Sequence, residues 1–310
     1  MCICKGKKAE LPIYFPPLRG YNIEYVKVEN DVVKGLPNMI SQELLAELNA
    51  KAREIRILTL EMIGCAGKGH LGGALSIADL MALLYFKRAN VRPEEPRWAD
   101  RDRVVLSKGH SGPALYAALC LRGYFPRETC YTLNQNGTSL PSHCDMRKIP
   151  GVDMTAGSLA QGFSAAVGMA LAGKLDKKSY RIYTIVGDGE SQEGQIWEAG
   201  MFAANHGLDN LVAFTDNNGM QIDGTTDEIN SLEPLDKKWE AFGWNVIKVD
   251  GHDIAAIDEA IDAAENTKGR PTMVILKTVK GKGVSFAEGK VSSHSMTYGP
   301  AEAAAEIAKM

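Results

Sequence analysis

The chain has 310 residues, 45% of them hydrophobic and 24% charged, with a formal net charge of −3. That supplies apolar material for one large core or two small ones, and the near-neutral balance gives no reason to expect a nucleic-acid or anionic-membrane partner. The most apolar run, Ile77 to Phe86, carries Asp79 and falls far short of the ~20 residues a membrane span needs.

Residues 1–40 read as an extension of mixed charge with several prolines and no apolar stretch of the secretory kind, so a cytoplasmic protein is expected. The alternation from Asn22 to Val28 predicts a short edge strand; a capping or partner-contact element and a loose leader fit the extension equally. At Ser41 the pattern changes. Ser41 can cap a helix, Glu43 sits in its first turn, and Leu44, Leu45, Leu48, Ala52, Ile55, Leu58 and Met62 recur at helical spacing. Gly64 and the GKGHLGG stretch are expected to break that helix, and a second begins near Ser76.

Further on, β-rich runs alternate with helical segments. The runs are 103–106, 182–186, 211–215, 245–249 and 272–277, apolar on both faces as buried parallel strands are. Residues 161–174 and 195–206 are helix formers, the second closed by Gly207. The expected fold over residues 41–310 is a doubly wound α/β domain, its mainly parallel sheet flanked by helices, with ligand sites past the carboxyl ends of the strands. The six cysteines, Cys2, Cys4, Cys65, Cys120, Cys130 and Cys144, have neither disulfide-framework nor zinc spacing and read as reduced thiols.

The chemistry concentrates between Gly187 and Gly224. The 182–186 run leads into Gly187-Asp188-Gly189, where two glycines let the backbone turn tightly and bring its N–H groups against a phosphate. Asp188 offers a hard oxygen at the strand's end. The next run ends at Asp216-Asn217-Asn218, thirty positions on, the separation of adjacent parallel strands joined by a helix. A magnesium or calcium ion between the two loops would take oxygen from Asp188, the Asn218 amide and a backbone carbonyl, and the rest from diphosphate and water. Gly-Asp-Gly alone is common in turns; the joint order of strand, GDG, EG, helix, strand, NN and IDG is specific. It is not a dinucleotide fingerprint, Gly67-Lys68 lacks phosphate-loop spacing, and Ser191 lacks the nucleophile-elbow spacing.

This pattern resembles the signature of thiamine-diphosphate enzymes, and its surroundings are similar to the N-terminal half of transketolase over about residues 41–300. Beside the cradle the likeness includes GKGHLGG (67–73), DRVVLSKGHSGPALY (102–116), LPSHCD (140–145), PGVDMTAGSLAQG (150–162), VDGHD (249–253) and KTVKGKGVSF (277–286). The resemblance implies the thiamine-diphosphate-binding fold, with Asp188, Asn218 and the Met220 carbonyl on Mg2+ (or Ca2+). It places the cofactor's diphosphate near Gly189, His110 and the Gly157-Ser158-Leu159 turn, Ser158 standing where proline is more usual. His70 and His294 would face the C3 hydroxyl of a donor ketose or the acceptor aldehyde, and His143 the C1 hydroxyl, with imidazole suited to moving protons near neutrality. After His294 the sequence runs Ser295-Met296 where the family has a small residue. Glu193 and Glu198 match glutamates of an acidic network between two active sites; solvated surface carboxylates are the competing reading. His206 reads as structural at a helix end, and His252 stays open between the two.

The chain covers about half of a transketolase. The other half would carry the pyrimidine-binding domain, with its glutamate, aromatic residues and most sugar-phosphate contacts. The resemblance therefore implies one of the two chains of a split transketolase, acting on sugar phosphates with a C-terminal, pyrimidine-domain partner, as a heterotetramer. Three alternatives remain: a specialised split transketolase acting on a sulfonated or branched sugar, an α subunit of a 2-oxo acid dehydrogenase, and a non-catalytic Mg-diphosphate binding module.

Overall fold

In the computed structural model, which describes residues 40–310, the Ser41 hydroxyl accepts from the Leu44 N–H at 3.2 Å and starts a helix over Gln42–Ala66. The extension, with the strand expected at Asn22–Val28 and with Cys2 and Cys4, lies outside the described residues. Gly64 does not break the helix. The chain turns at Gly67, whose φ of +79° is the left-handed closing conformation. Gly64 instead makes room: a Cβ there would stand 2.9 Å from the Ala303 Cβ, so its bare backbone lets the Pro300–Ile307 helix dock. A short helix at Gly72–Leu75 precedes the one at Ala78–Leu83.

The strands are β1 (Lys68–Gly69), β2 (Arg103–Leu106), β3 (Ile182–Gly187), β4 (Leu211–Asn217), β5 (Asn245–Asp250), β6 (Thr272–Lys277) and β7 (Met296–Thr297). Five of them make a wholly parallel sheet in the order β2-β3-β4-β6-β5. Alternate side chains divide between two apolar layers, as a doubly wound sheet requires. Val104, Tyr183, Ile185, Phe214 and Leu276 pack toward the Gln42–Ala66, Gly112–Arg122 and Ile254–Asn266 helices. Val105, Ile182, Val186, Ala213 and Met273 pack toward the Gln161–Leu175 and Gly194–Asn205 helices and the Trp239–Trp244 pair.

One strand departs from the reading of runs buried on both faces. β5 is an edge strand of partly exposed residues, and Lys248 on it reaches out to Asp236 at 2.9 Å. Its charge belongs at an edge, where one side of the ladder meets solvent. Outside the sheet, β1 and β7 pair antiparallel, Lys68 opposite Thr297 and Gly69 opposite Met296, which brings His70 and His294 to one place. Among the described residues no helix is long and apolar enough to cross a membrane, and Cys65, Cys120, Cys130 and Cys144 are free thiols.

Candidate functional site

The carboxyl ends of β3 and β4 lie side by side, with Gly187 opposite Asp216. Past them opens a cavity of about 420 Å³ whose lining includes Asp188, Gly189, Asn218 and Met220. Asp188 is 3% exposed, and its carboxylate accepts the Gly189 N–H at 2.7 Å and the Gly219 N–H at 2.5 Å. The first bond is internal to the GDG turn, and the second ties that turn to the loop after β4. Burial and the nearby Asp216 carboxylate push the Asp188 pKa up to about 7, the mark of a carboxylate short of counter-charge. Asn218 accepts the Met220 N–H at 3.0 Å on Oδ1 and donates to Asp216 at 2.9 Å from Nδ2, so its orientation is fixed at both ends.

Beneath this floor, Asp216 is wholly buried. It accepts from the Ser76 hydroxyl at 2.7 Å, the Lys108 ammonium at 2.6 Å and the Thr278 hydroxyl. Burial opposes its charge, but Lys108 and these hydrogen bonds overcome that and hold the carboxyl below its usual range. A second buried carboxylate, Glu190, accepts from Ser107 at 2.6 Å, from the Ala160 N–H at 2.8 Å and from the Gly187 N–H at 2.9 Å. It joins the end of β2, the turn before the Gln161–Leu175 helix and the GDG turn, three walls of one cavity.

Four histidines converge on the cavity. The His70 ring centroid is 5.5 Å from that of His110, 5.4 Å from His143 and 5.5 Å from His294, and His110 and His294 are 4.9 Å apart. Burial lowers the pKa of each. Lys108 adds to the effect at His110, and Lys280 helps bring His294 down to about 4. In all four the shift favours the neutral ring.

Gly157 and Leu159 line the same cavity, whereas Ser158 between them is exposed and lies outside the lining. Glu193 is at the cavity and exposed; Glu198 is exposed on the Gly194–Asn205 helix. His206 ends that helix and packs its ring 4.1 Å from Phe202. His252 belongs elsewhere. Its Nδ1 is 2.8 Å from Asp79, which also holds Arg56, and its Nε2 accepts the Val279 N–H at 2.9 Å, so it braces helix, strand end and loop together.

Residue patterns alone miss Glu190, Asp216 and the lysines Lys108 and Lys280. Glu190 sits in a run of acidic and polar residues where nothing marks it from Glu193. The signal that separates them is position: one residue after the GDG turn faces inward, four residues after it faces out.

The donor set fits a hard cation with a diphosphate. Asp188, the Asn218 amide and the Met220 carbonyl are all oxygen donors, and among the described residues no group of three His, Cys, Asp or Glu side chains offers a competing site. Gly189 leaves space that a side chain would fill, since a Cβ there would stand 2.9 Å from the Gln221 Cβ.

The family described as "Transketolase, thiamine diphosphate binding domain" matches residues 48–310. A 6-deoxy-6-sulfo-D-fructose transketolase subunit from Clostridium sp. (strain MSTE9) is 60% identical over 250 residues, 81% of this chain and 91% of that protein. An apulose-4-phosphate transketolase subunit from Phocaeicola vulgatus is 41% identical over 252 residues, 81% of this chain and 87% of that protein. Among solved structures, the transketolase of Leishmania mexicana matches with a TM-score of 0.80 at 30% identity, over 84% of this chain and 41% of its own. This chain thus spans about two fifths of that enzyme and nearly the whole of the two subunits. The chain belongs to the transketolase family, and residues 48–310 are its thiamine-diphosphate-binding domain.

Proposed function

We propose that this chain is the diphosphate-binding subunit of a split transketolase, a transferase that moves a two-carbon ketol unit from a ketose to an aldose and works with a second, pyrimidine-domain chain. The observation that carries this reading is the cluster of four histidines above the GDG and NN loops. Binding a diphosphate needs one or two of them; a sugar with several hydroxyls to orient and deprotonate needs the rest. The same cluster, set in SKGH and LPSH contexts, weighs against a mere binding module and against the α subunit of a 2-oxo acid dehydrogenase.

Bound thiamine diphosphate supplies the electron sink for cleaving a bond next to a carbonyl. The chain's own residues do the remaining work. Asp188, Asn218 and the Met220 carbonyl hold Mg2+ or Ca2+, and His110, Gly189 and the Gly157-Ser158-Leu159 turn seat the diphosphate, with His294 beside it. His70 and His294 take and return a proton at the C3 hydroxyl of the donor or the oxygen of the acceptor aldehyde, while His143 holds the C1 hydroxyl. Glu193, exposed at the cavity, and Glu198, exposed on the Gly194–Asn205 helix, are covered in the assembly as an acidic network. A cytoplasmic heterotetramer completes the proposal. The 60% identical relative makes a sulfonated ketose the first donor to test.

In the complex reconstituted with its partner, His70→Ala and His143→Ala are each expected to lower kcat by about 10²–10⁴, the range for a positioned acid or base. Cofactor affinity should stay within about threefold, because neither ring is assigned to the diphosphate. Both variants retaining full activity would favour the binding-module reading instead.

A further inference from the structure

Charge is unevenly spread around the cavity. Its lining includes the exposed carboxylates Glu193 and Asp223, one just past the GDG turn and one in the loop after β4. The residues flanking the histidines carry the opposite sign. Lys68 stands two positions before His70 and Lys148 five after His143, both exposed, and neither forms an ion pair among the described residues. Asp145, the carboxylate next to His143 in this segment, lies 3.6 Å from Arg147 and accepts the Arg147 N–H at 2.9 Å. Burial, His143 and the charge of Lys68 together lower the His70 pKa, so the Lys68 ammonium acts at the histidine end of the cavity.

Beside Lys68 the chain builds a polar hollow of about 570 Å³ from residues 134–142 and Lys148. Its lining offers side-chain amides and hydroxyls, and no carboxylate. The loop is held from within. The Asn134 N–H donates to the Leu140 carbonyl at 3.1 Å, the Thr132 and Thr138 hydroxyls are 2.8 Å apart, and Leu140 is wholly buried. Asn134 has a φ of +61°, a conformation that asparagine tolerates better than most residues. Its Oδ1 accepts from the Ser142 hydroxyl at 2.7 Å, and its Nδ2 donates to the Lys68 carbonyl at 3.5 Å. The hollow therefore meets the cavity along two seams, Lys68 to His70 and Ser142 to His143. The side chains of Asn136 and Ser139, which also line it, have no hydrogen-bond partner among the described residues.

We propose that Lys68 and the Asn134–Ser142 loop hold the anionic end of the sugar, a sulfonate or a phosphate, while its reacting carbonyl end lies among the four histidines. The assignment rests on the ketol-transfer reading of the site. A tetrahedral oxyanion takes an ammonium and several N–H and O–H donors, and is repelled by carboxylates. The hollow supplies the first and lacks the second. This contact from the present chain adds to those expected from its partner. Because it grips the sugar far from the bond that breaks, it holds substrate and transition state alike and acts on KM more than on kcat.

The test uses the pair reconstituted with its partner chain, an uncharged aldehyde as acceptor, and three donors: 6-deoxy-6-sulfo-D-fructose, fructose 6-phosphate and uncharged fructose. Lys68→Met should raise KM for a charged donor about three- to thirtyfold, between the worth of an exposed ion pair and that of a charge-assisted bond. Its kcat should move by less than about twofold. The ratio of kcat/KM for that donor to kcat/KM for fructose should fall by the same factor as KM rises. Lys68→Glu should lower the ratio further, and Lys68→Arg should keep most of it. A variant that merely damaged the fold would slow all three donors alike and leave the ratio in place. Lys68→Gln, read in the same way, serves where the methionine variant does not fold. The charged donor with the larger fall identifies the anion that the subsite takes. Raising the salt from about 0.05 to about 0.5 M should lower the wild-type ratio more than that of Lys68→Met. Wild-type ratios in both Lys68→Met and Lys68→Glu would overturn the assignment and leave ketol transfer standing. No turnover by the wild-type pair with any of the donors would overturn the ketol-transfer reading and the assignment with it.

Discussion

Asp188→Asn is expected to cost the chain more than about 100-fold in magnesium-dependent thiamine diphosphate affinity while leaving it folded. Outer-shell partners of a metal are typically worth about 10–100-fold, and Asp188 is proposed as a direct ligand. The substitution keeps the shape and one hydrogen bond to the Gly189 or Gly219 N–H, at a cost of about 0.5–1.5 kcal/mol for the other. It also removes a carboxylate that burial and Asp216 disfavour, which offsets that loss. Melting temperature should therefore change little while binding collapses. Calorimetric titration with and without magnesium checks this, and affinity retained within tenfold would remove Asp188 from the metal's shell.

Asp216→Ala should do the reverse and damage the fold itself. Its partner Lys108 is 2% exposed and would be left as an unpaired buried ammonium, a change worth about 3–5 kcal/mol. That is a large share of the roughly 5–15 kcal/mol by which domains are stable. Ser76, Thr278 and Asn218 would lose their common acceptor as well, loosening the floor under the cavity. Urea unfolding measures the loss. The double variant Lys108→Met/Asp216→Leu should recover most of it, because two apolar side chains can replace a buried pair where half a pair cannot. A loss below about 1 kcal/mol in the single variant would mean that water reaches Lys108.

The main architecture was legible because parallel strands covered on both faces must be apolar throughout. Such runs at 103–106, 182–186, 211–215 and 272–277 mark their strands to within two residues of the observed ends. β5 was found for its position and misjudged for its burial, since an edge strand and a central one differ in neighbours that no local pattern records. Gly64 misled because glycine lowers helix propensity, while its use here is the approach of a helix more than 230 positions along the chain. The four histidines stood out by their contexts. Glu190, Lys108 and Lys280 did not, because their roles come from burial and from partners brought together by folding. His252 needed its two bonds, to Asp79 and to Val279, before it could be set apart from the others.

The central claim is that this chain is half of an enzyme. The measurement that tests it most directly is ketol transfer with thiamine diphosphate and magnesium, using 6-deoxy-6-sulfo-D-fructose and apulose 4-phosphate as donors and an aldose phosphate as acceptor. It is run on the purified chain by itself and again after addition of a pyrimidine-domain partner chain. The expected result is no turnover by the chain without its partner and turnover once the partner is present. Full turnover without a partner, or none from the pair with any ketose, would contradict the claim.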